Sequence, residues 1–297
     1  MGNVADYHGD QADGLRRLFG REKTRVVAFA AGSRSVGKTA LVANLAAILA
    51  GTGREVLVVD ENTRRNVASC FGVSVRHDLL QVLNEEIAFD TALVSVAPGV
   101  RVLAAARAVR HLAHLNGRQQ EVLIRSLTGM APPIDLVLVD ASPEHPLGFS
   151  PFGLAAHETV IVISPSGEAI TDAYALIKKV SLGYAHRSFR LLVNQARSAD
   201  EARAIHGNMA RLSHGRGVAR LAFAGHVPLD EQLRQSCRLS QPVSIVLPDA
   251  PSARAFQAIA SDLLGWPLPE ENAGGLEYFV QQLLHLSQHI DPQPIYA

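Results

Sequence analysis

The sequence predicts a doubly wound, mostly parallel α/β sheet flanked by helices, and three observations carry that expectation. Runs that are apolar at every residue recur along the chain, segments of helical length separate them, and the first run leads into a glycine-containing turn that opens a helix. The runs are 26–31, 56–59, 100–104, 136–139, 160–163 and 191–193, the third interrupted by Arg101. A strand apolar at every position is buried on both faces, as in a parallel sheet covered by helices, whereas a half-exposed strand alternates. Segments 38–50, 119–128, 169–182 and 200–213 have the length of crossover helices between parallel strands.

With 297 residues, the chain has ample material for a buried core. Hydrophobic residues make up 47% and charged residues 19%, an ordinary globular composition that excludes wholesale disorder. Lys plus Arg and Asp plus Glu both number 28, so no global field favours a polyanion, and sequence-independent DNA binding is disfavoured. Cys70 and Cys237 lie far apart in sequence with no metal-ligand spacing, and the 12 histidines are scattered, so neither a disulfide framework nor a zinc site is expected. The cysteine usage fits a reducing cytosol. The first residues lack the order of a signal peptide and no apolar run reaches the ~18 residues of a bilayer span, so a soluble or at most membrane-surface protein is expected. The organisation reads as a short helix within 1–22, a nucleotide-binding domain over 23–267 and a tail over 268–297.

Directly after the first run, Gly32, Ser33, Arg34, Ser35, Val36, Gly37, Lys38 and Thr39 satisfy G-x-x-x-x-G-K-[ST], and Ala40 continues into the helix. Glycines permit the tight turn, and successive backbone N–H groups with the helix N-terminus cradle phosphate oxygens. Lys38 is placed to neutralise the outer phosphates and the Thr39 hydroxyl to hold Mg²⁺, which makes ATP or ADP with Mg²⁺ the expected cofactors. Asp60 ends the second run within VLVVDEN and Asp140 ends a later one within DLVLVDAS. Carboxylates at strand ends beside a phosphate loop can hold Mg²⁺ directly or through water, or can cap the segment that follows. Lys38, Asp60 and Asp140 are therefore the candidate catalytic residues, with Thr39, Asp60 and Asp140 as candidate metal holders. Asn194 in LLVNQA could read an adenine edge by donating and accepting together, or could serve a turn.

The loop, the helix KTALVANLAAILA, the strands VLVVD and VLVDAS, LLVN and the later GHVPLD together resemble the MinD/ParA family of nucleotide-dependent dimerising ATPases, over most of the chain. Within that family, ITDAYALIK over 170–178 and DQADGLR over 10–16 look like the flagellar-number regulators, the FlhG or FleN type. The resemblance implies slow ATP hydrolysis, a nucleotide-dependent homodimer, Pro228 as a further nucleotide contact, and basal-body or transcriptional partners. Two departures bear on activity. The family's GKGGVGKT carries a lysine that reaches the partner's nucleotide, and here that position is Ser33. The neighbouring Arg34 either takes over that phosphate contact or faces solvent. The family's D-x-D after the second strand reads Asp60, Glu61, Asn62, and an amide cannot act as a base, so hydrolysis is expected to be slow or lost while binding remains.

The two ends extend the argument. Asp10 can cap a short helix with Ala12, Leu15 and Phe19 on one face and Arg16 and Arg17 on its flank. In the resembling proteins such a helix inserts into a signal-recognition-particle-type flagellar GTPase, FlhF, and stimulates it; Asp10, Gln11, Leu15 and Arg16 are the expected partner-binding residues, docking on the chain's own domain being the alternative. The stretch 276–290 is amphipathic and resembles the family's membrane-targeting helix in position, yet it contains no Lys or Arg to attract anionic lipid. Packing on its own domain or on a partner stands beside a membrane-surface role. Trp266 is expected to seal the core edge. The expected function is an ATP-switched regulator of flagellar number and placement; the alternatives are a relative serving cellulose secretion or DNA partition, or a nucleotide-binding scaffold with little turnover.

Overall fold

The computed structural model describes residues 24–143, 149–267 and 275–289. In chain order, the elements on the first half are β1 (Arg25–Ala30), α1 (Lys38–Gly51), β2 (Val56–Asp60), α2 (Leu79–Leu83), α3 (Phe89–Ala92), β3 (Leu93–Ala97), β4 (Val100–Ala104) and α4 (Gly117–Thr128). The second half adds β5 (Leu136–Asp140), α5 (Pro151–Ala155), β6 (Glu158–Ile163), α6 (Gly167–Tyr184), β7 (Ser188–Ala196), α7 (Ala199–Gly215) and β8 (Arg220–Pro228). It closes with α8 (Glu231–Arg238), α9 (Val243–Val246), α10 (Pro251–Gly265) and α11 (Leu276–His289). The strands form one sheet in the order β3-β4-β2-β5-β1-β6-β7-β8, parallel throughout except for the β3–β4 pair.

Every residue of β1, β2 and β5 is buried, and the two-residue period divides their side chains between two cores. Val26, Ala28, Leu57, Val59, Val137 and Val139 face one core, with Leu123, Phe152 and Ile177 from the covering helices. Val27, Phe29, Val56, Val58 and Leu138 face the other, with Leu41, Leu45 and Leu49 of α1 and Phe256 and Leu263 of α10. This is why the strands read as unbroken apolar runs. Two strands lacked that mark. β3 is a half-buried edge strand returning on β4 through Pro98 and Gly99, where φ is +72° and a Cβ would lie 3.0 Å from the Arg54 carbonyl oxygen. β8 is the opposite edge, exposed at Arg220 and Ala222 in its first half, with Leu221 and Ala224 feeding opposite cores and a register shift around Gly225 at φ +111°.

Trp266 does seal the core edge. It is 9% exposed, the Arg190 guanidinium stacks 4.0 Å above its ring, and Arg25 Nη2 donates to its carbonyl at 2.7 Å. Beyond it, α11 lays Phe279, Val280 and Leu283 into the first core, with the Phe279 and Phe152 rings 6.3 Å apart. Of the alternatives for the amphipathic helix expected in the tail, the structure takes packing on its own domain: the apolar face is spent on the chain's own core. Among the described residues, no helix is long and apolar enough to cross a membrane. The partner-binding set Asp10, Gln11, Leu15 and Arg16 lies outside the described residues.

β1 sits between β5 and β6: the chain leaves it toward β2 on one side and later builds β6, β7 and β8 on the other. In such sheets ligands bind beyond the carboxyl ends of the strands, where the order reverses. The phosphate-loop sequence leaves β1 at that place.

Candidate functional site

The loop between β1 and α1 depends on its two glycines for different reasons. At Gly32, a Cβ would lie 2.3 Å from the Asp172 carbonyl carbon in α6, an approach no side chain allows. At Gly37, φ is +81° and a Cβ would lie 2.4 Å from Asn194 Nδ2. Ser35 also adopts positive φ, +70°, a region that favours glycine and strains other residues. Gly37 is the N-cap of α1 and provides no side-chain cap, whereas α6, α7 and α8 are capped by Ser166, Ser198 and Asp230. The first N–H groups of α1 are thus left for an anionic ligand. The helix begins at Lys38, with Ala40 half-buried in its first turn.

Asp60 and Asp140 are register partners at the ends of the neighbouring parallel strands β2 and β5, so both carboxylates emerge on the same side of the sheet. Both are fully buried. Lys38, 7% exposed, forms an ion pair with Asp140 Oδ1, and Thr39 Oγ1 donates to Asp140 Oδ2 at 2.7 Å. Asp60 accepts the Val67 N–H and, at 2.9 Å, the Asn62 N–H. Asn62 lies between the two acids: its Nδ2 donates to Asp60 Oδ1 at 3.0 Å, to Asp140 Oδ2 at 2.8 Å and to the Asp140 carbonyl at 3.0 Å. Burial, and then the neighbouring Asp140 charge, raise the Asp60 pKa well above the ordinary carboxylate range. The amide in this place therefore supplies donors where two carboxylates would otherwise repel.

Asn194 is placed differently from the adenine-reading role. Its Nδ2 donates to the Val36 carbonyl at 2.7 Å and its Oδ1 accepts the Gln195 N–H at 3.0 Å, so the amide braces the phosphate loop from β7. Pro228 ends β8 as the register partner of Ala196, two residues beyond Asn194 on the neighbouring strand β7. Ser33, Arg34, Ser35 and Val36 line a cleft of about 540 Å³ whose other wall includes Pro143, Glu168 and Asp172. That volume falls within the ordinary range of ligand sites. Arg34 is exposed on its rim.

The oxygens of Thr39, Asp60 and Asp140 suit a hard cation. Among the described residues, no group of three or more His, Cys, Asp or Glu gathers around one point. One participant was not singled out from the sequence: Glu61. It is 3% exposed, accepts the Ser142 N–H at 2.9 Å and the Ser150 hydroxyl, and burial pushes its pKa up to about 7. Its signal is its place as the middle of three consecutive polar residues, Asp60, Glu61 and Asn62, after four apolar ones.

Residues 24–189 match the AAA domain family (AAA_31). The chain is 29% identical over 271 residues to the antiactivator FleN of Pseudomonas aeruginosa, covering 91% of this chain and 97% of that one. The MinD cell division protein of Aquifex aeolicus superposes with a TM-score of 0.62 at 21% identity, covering 83% of this chain and 99% of that one. The septum site-determining protein MinD of Pyrococcus horikoshii, complexed with Mg-ADP, gives 0.61 at 22% identity, covering 81% and 96%. The phosphate loop at the sheet's switch point, the paired strand-end aspartates and the match across more than half the chain lead to one conclusion: the chain belongs to the AAA domain family, with the fold of the MinD proteins and sequence similarity to FleN.

Proposed function

We propose that the chain is an ATP-binding regulator of flagellar number and placement that dimerises with nucleotide and acts on a signal-recognition-particle-type flagellar GTPase, FlhF. The observation that carries the nucleotide half is the convergence of the uncapped α1 N-terminus, Lys38, Thr39 and Asp140 at the switch point of the sheet. The flagellar half rests on the similarity to FleN and on the sequence DQADGLR near the N-terminus.

In this reading the loop N–H groups bind phosphate oxygens and Lys38 exchanges its Asp140 partner for the outer phosphates. Thr39 and the two aspartates would hold Mg²⁺ directly or through water, where it would supply positive charge to the phosphate oxygens. Arg34, exposed beside the cleft, takes the place of the absent signature lysine. Asn62 orients water by hydrogen bonding but accepts no proton, so hydrolysis is slow and the ATP-bound dimer long-lived. A second reading, a nucleotide-binding scaffold with no useful turnover, is favoured by the same Asn62, whose amide is already engaged by both aspartates.

The deciding experiment titrates the purified full chain with ATP and Mg²⁺ in a calorimeter, follows its mass by light scattering, and measures GTP turnover of the cognate flagellar GTPase with and without it. Binding, a doubling of mass and faster GTP turnover are expected. No ATP binding removes the nucleotide reading; ATP binding without any effect on the GTPase removes the flagellar one; binding without phosphate release selects the scaffold.

A further inference from the structure

Glu61 is a buried carboxylate with no part in the chemistry above, and its bonds surround the residue on which that chemistry turns. Its backbone N–H donates to the Asp140 carbonyl at 3.3 Å, and its side chain accepts the Ser142 N–H at 2.9 Å. One residue thus grips the peptide units on both sides of Ala141, while the Ala141 N–H is held by the Phe29 carbonyl at 3.0 Å. The second carboxylate oxygen accepts from Ser150 Oγ, the hydroxyl that caps α5 by accepting the Gly153 N–H at 3.2 Å. The turn leaving β5 is therefore fixed from β2, and it is the turn that carries Asp140.

We propose that Glu61 is a positioning residue that sets Asp140 for the cation-dependent part of nucleotide binding, which rests on the nucleotide reading given above. Asp140 receives Lys38, Thr39 and Asn62 at once, so a small displacement of its backbone would disturb three bonds together. Losing a residue that orients a metal-holding group typically costs about 10–100-fold in metal affinity. The carboxylate is matched to this task because both of its outer partners, an N–H and a hydroxyl, donate. A glutamine keeps the arrangement: its carbonyl oxygen accepts the Ser142 N–H and its amide donates to the Ser150 hydroxyl, which can turn to accept. An alanine removes the side-chain grip entirely.

The test compares wild type, Glu61→Gln, Glu61→Ala and Ser150→Ala in full-length protein. Calorimetry measures ATP affinity with Mg²⁺ and with a chelator, and amide hydrogen exchange without nucleotide reports protection at Ser142. In Glu61→Ala the gain in ATP affinity from Mg²⁺ should fall by about tenfold or more while affinity in chelator stays unchanged. Ser142 exchange should rise in the same variant. Glu61→Gln should restore both, and Ser150→Ala should leave the Mg²⁺ gain in place because the Ser142 arm is intact. A Glu61→Ala protein with a full Mg²⁺ gain and unchanged Ser142 exchange overturns the proposal, as does a Glu61→Gln protein as impaired as the alanine variant. If Glu61→Ala does not fold, the proposal stands or falls on Glu61→Gln keeping the Mg²⁺ gain and Ser142 protection. A wild type that binds no ATP defeats the nucleotide reading alone, since the exchange measurement still decides whether Glu61 holds the turn.

Discussion

Replacing Asn62 with aspartate restores the carboxylate of the resembling proteins, and the structure predicts opposite effects on stability and turnover. Without nucleotide, Asn62 Nδ2 donates to both Asp60 and Asp140, at 3.0 and 2.8 Å. Hydrogen bonds to charged groups contribute about 1.5–3 kcal/mol each, so losing both costs about 3 kcal/mol or more before repulsion is added. At about 2–4 °C per kcal/mol for a domain of this size, the melting temperature of the nucleotide-free variant should fall by roughly 6–12 °C. The third acid escapes part of that cost by taking up a proton, as burial and Asp140 already favour for Asp60. Its folded pKa then lies above its unfolded value, so the folded state binds more protons, and the deficit against wild type should be small in acid and widen as the pH rises above the ordinary carboxylate pKa of about 4. With ATP and Mg²⁺ bound, the added charge is compensated and can act on water, and general-base catalysis typically contributes at least about 10²-fold. Differential scanning fluorimetry across pH, with steady-state phosphate release at saturating ATP, measures both sides. A nucleotide-free Asn62→Asp protein that melts with wild type at pH 8 would refute the claim that the amide holds the two acids together. A faster wild type would show that Asn62 does not limit turnover.

Three further outcomes follow from named contacts. Lys38→Ala should weaken ATP binding by roughly 10–100-fold, the worth of a charge-assisted bond. It should also destabilise the nucleotide-free protein by about 3–5 kcal/mol, because Asp140 is left buried without its cation. Adding Asp140→Asn should recover stability in denaturant melts without recovering ATP affinity in calorimetry. Ser35→Gly should raise stability by about 0.5–1 kcal/mol, since the left-handed backbone at φ +70° strains serine more than glycine's extra chain entropy costs, and an unchanged or lower urea midpoint would contradict this. Phe279→Ala should cost about 3–5 kcal/mol if α11 is an integral layer of the core, and equal melting of variant and wild type would mean that its packing on Phe152 contributes nothing.

The sequence by itself determined the central strands and the phosphate loop, because those features are local. Burial on both faces writes itself into β1, β2 and β5 as unbroken apolar runs, and the loop's turn, helix start and charge occupy eight consecutive residues. The edge strands β3 and β8 are not legible in the sequence: their burial is partial and irregular, and what makes them strands is the neighbour they pair with. The strand-end positions of Asp60 and Asp140 were readable, but that they are register partners sharing one amide depends on β2 and β5 lying side by side, a fact of topology. Tertiary structure likewise decided the role of Asn194, which comes from β7 to brace Val36, a residue 158 positions earlier. It also decided the direction taken by α11, since an amphipathic helix carries the same pattern whether it covers a membrane or its own protein. The groove beside Phe152 that receives it is assembled from segments far apart in the chain, and only folding brings them together.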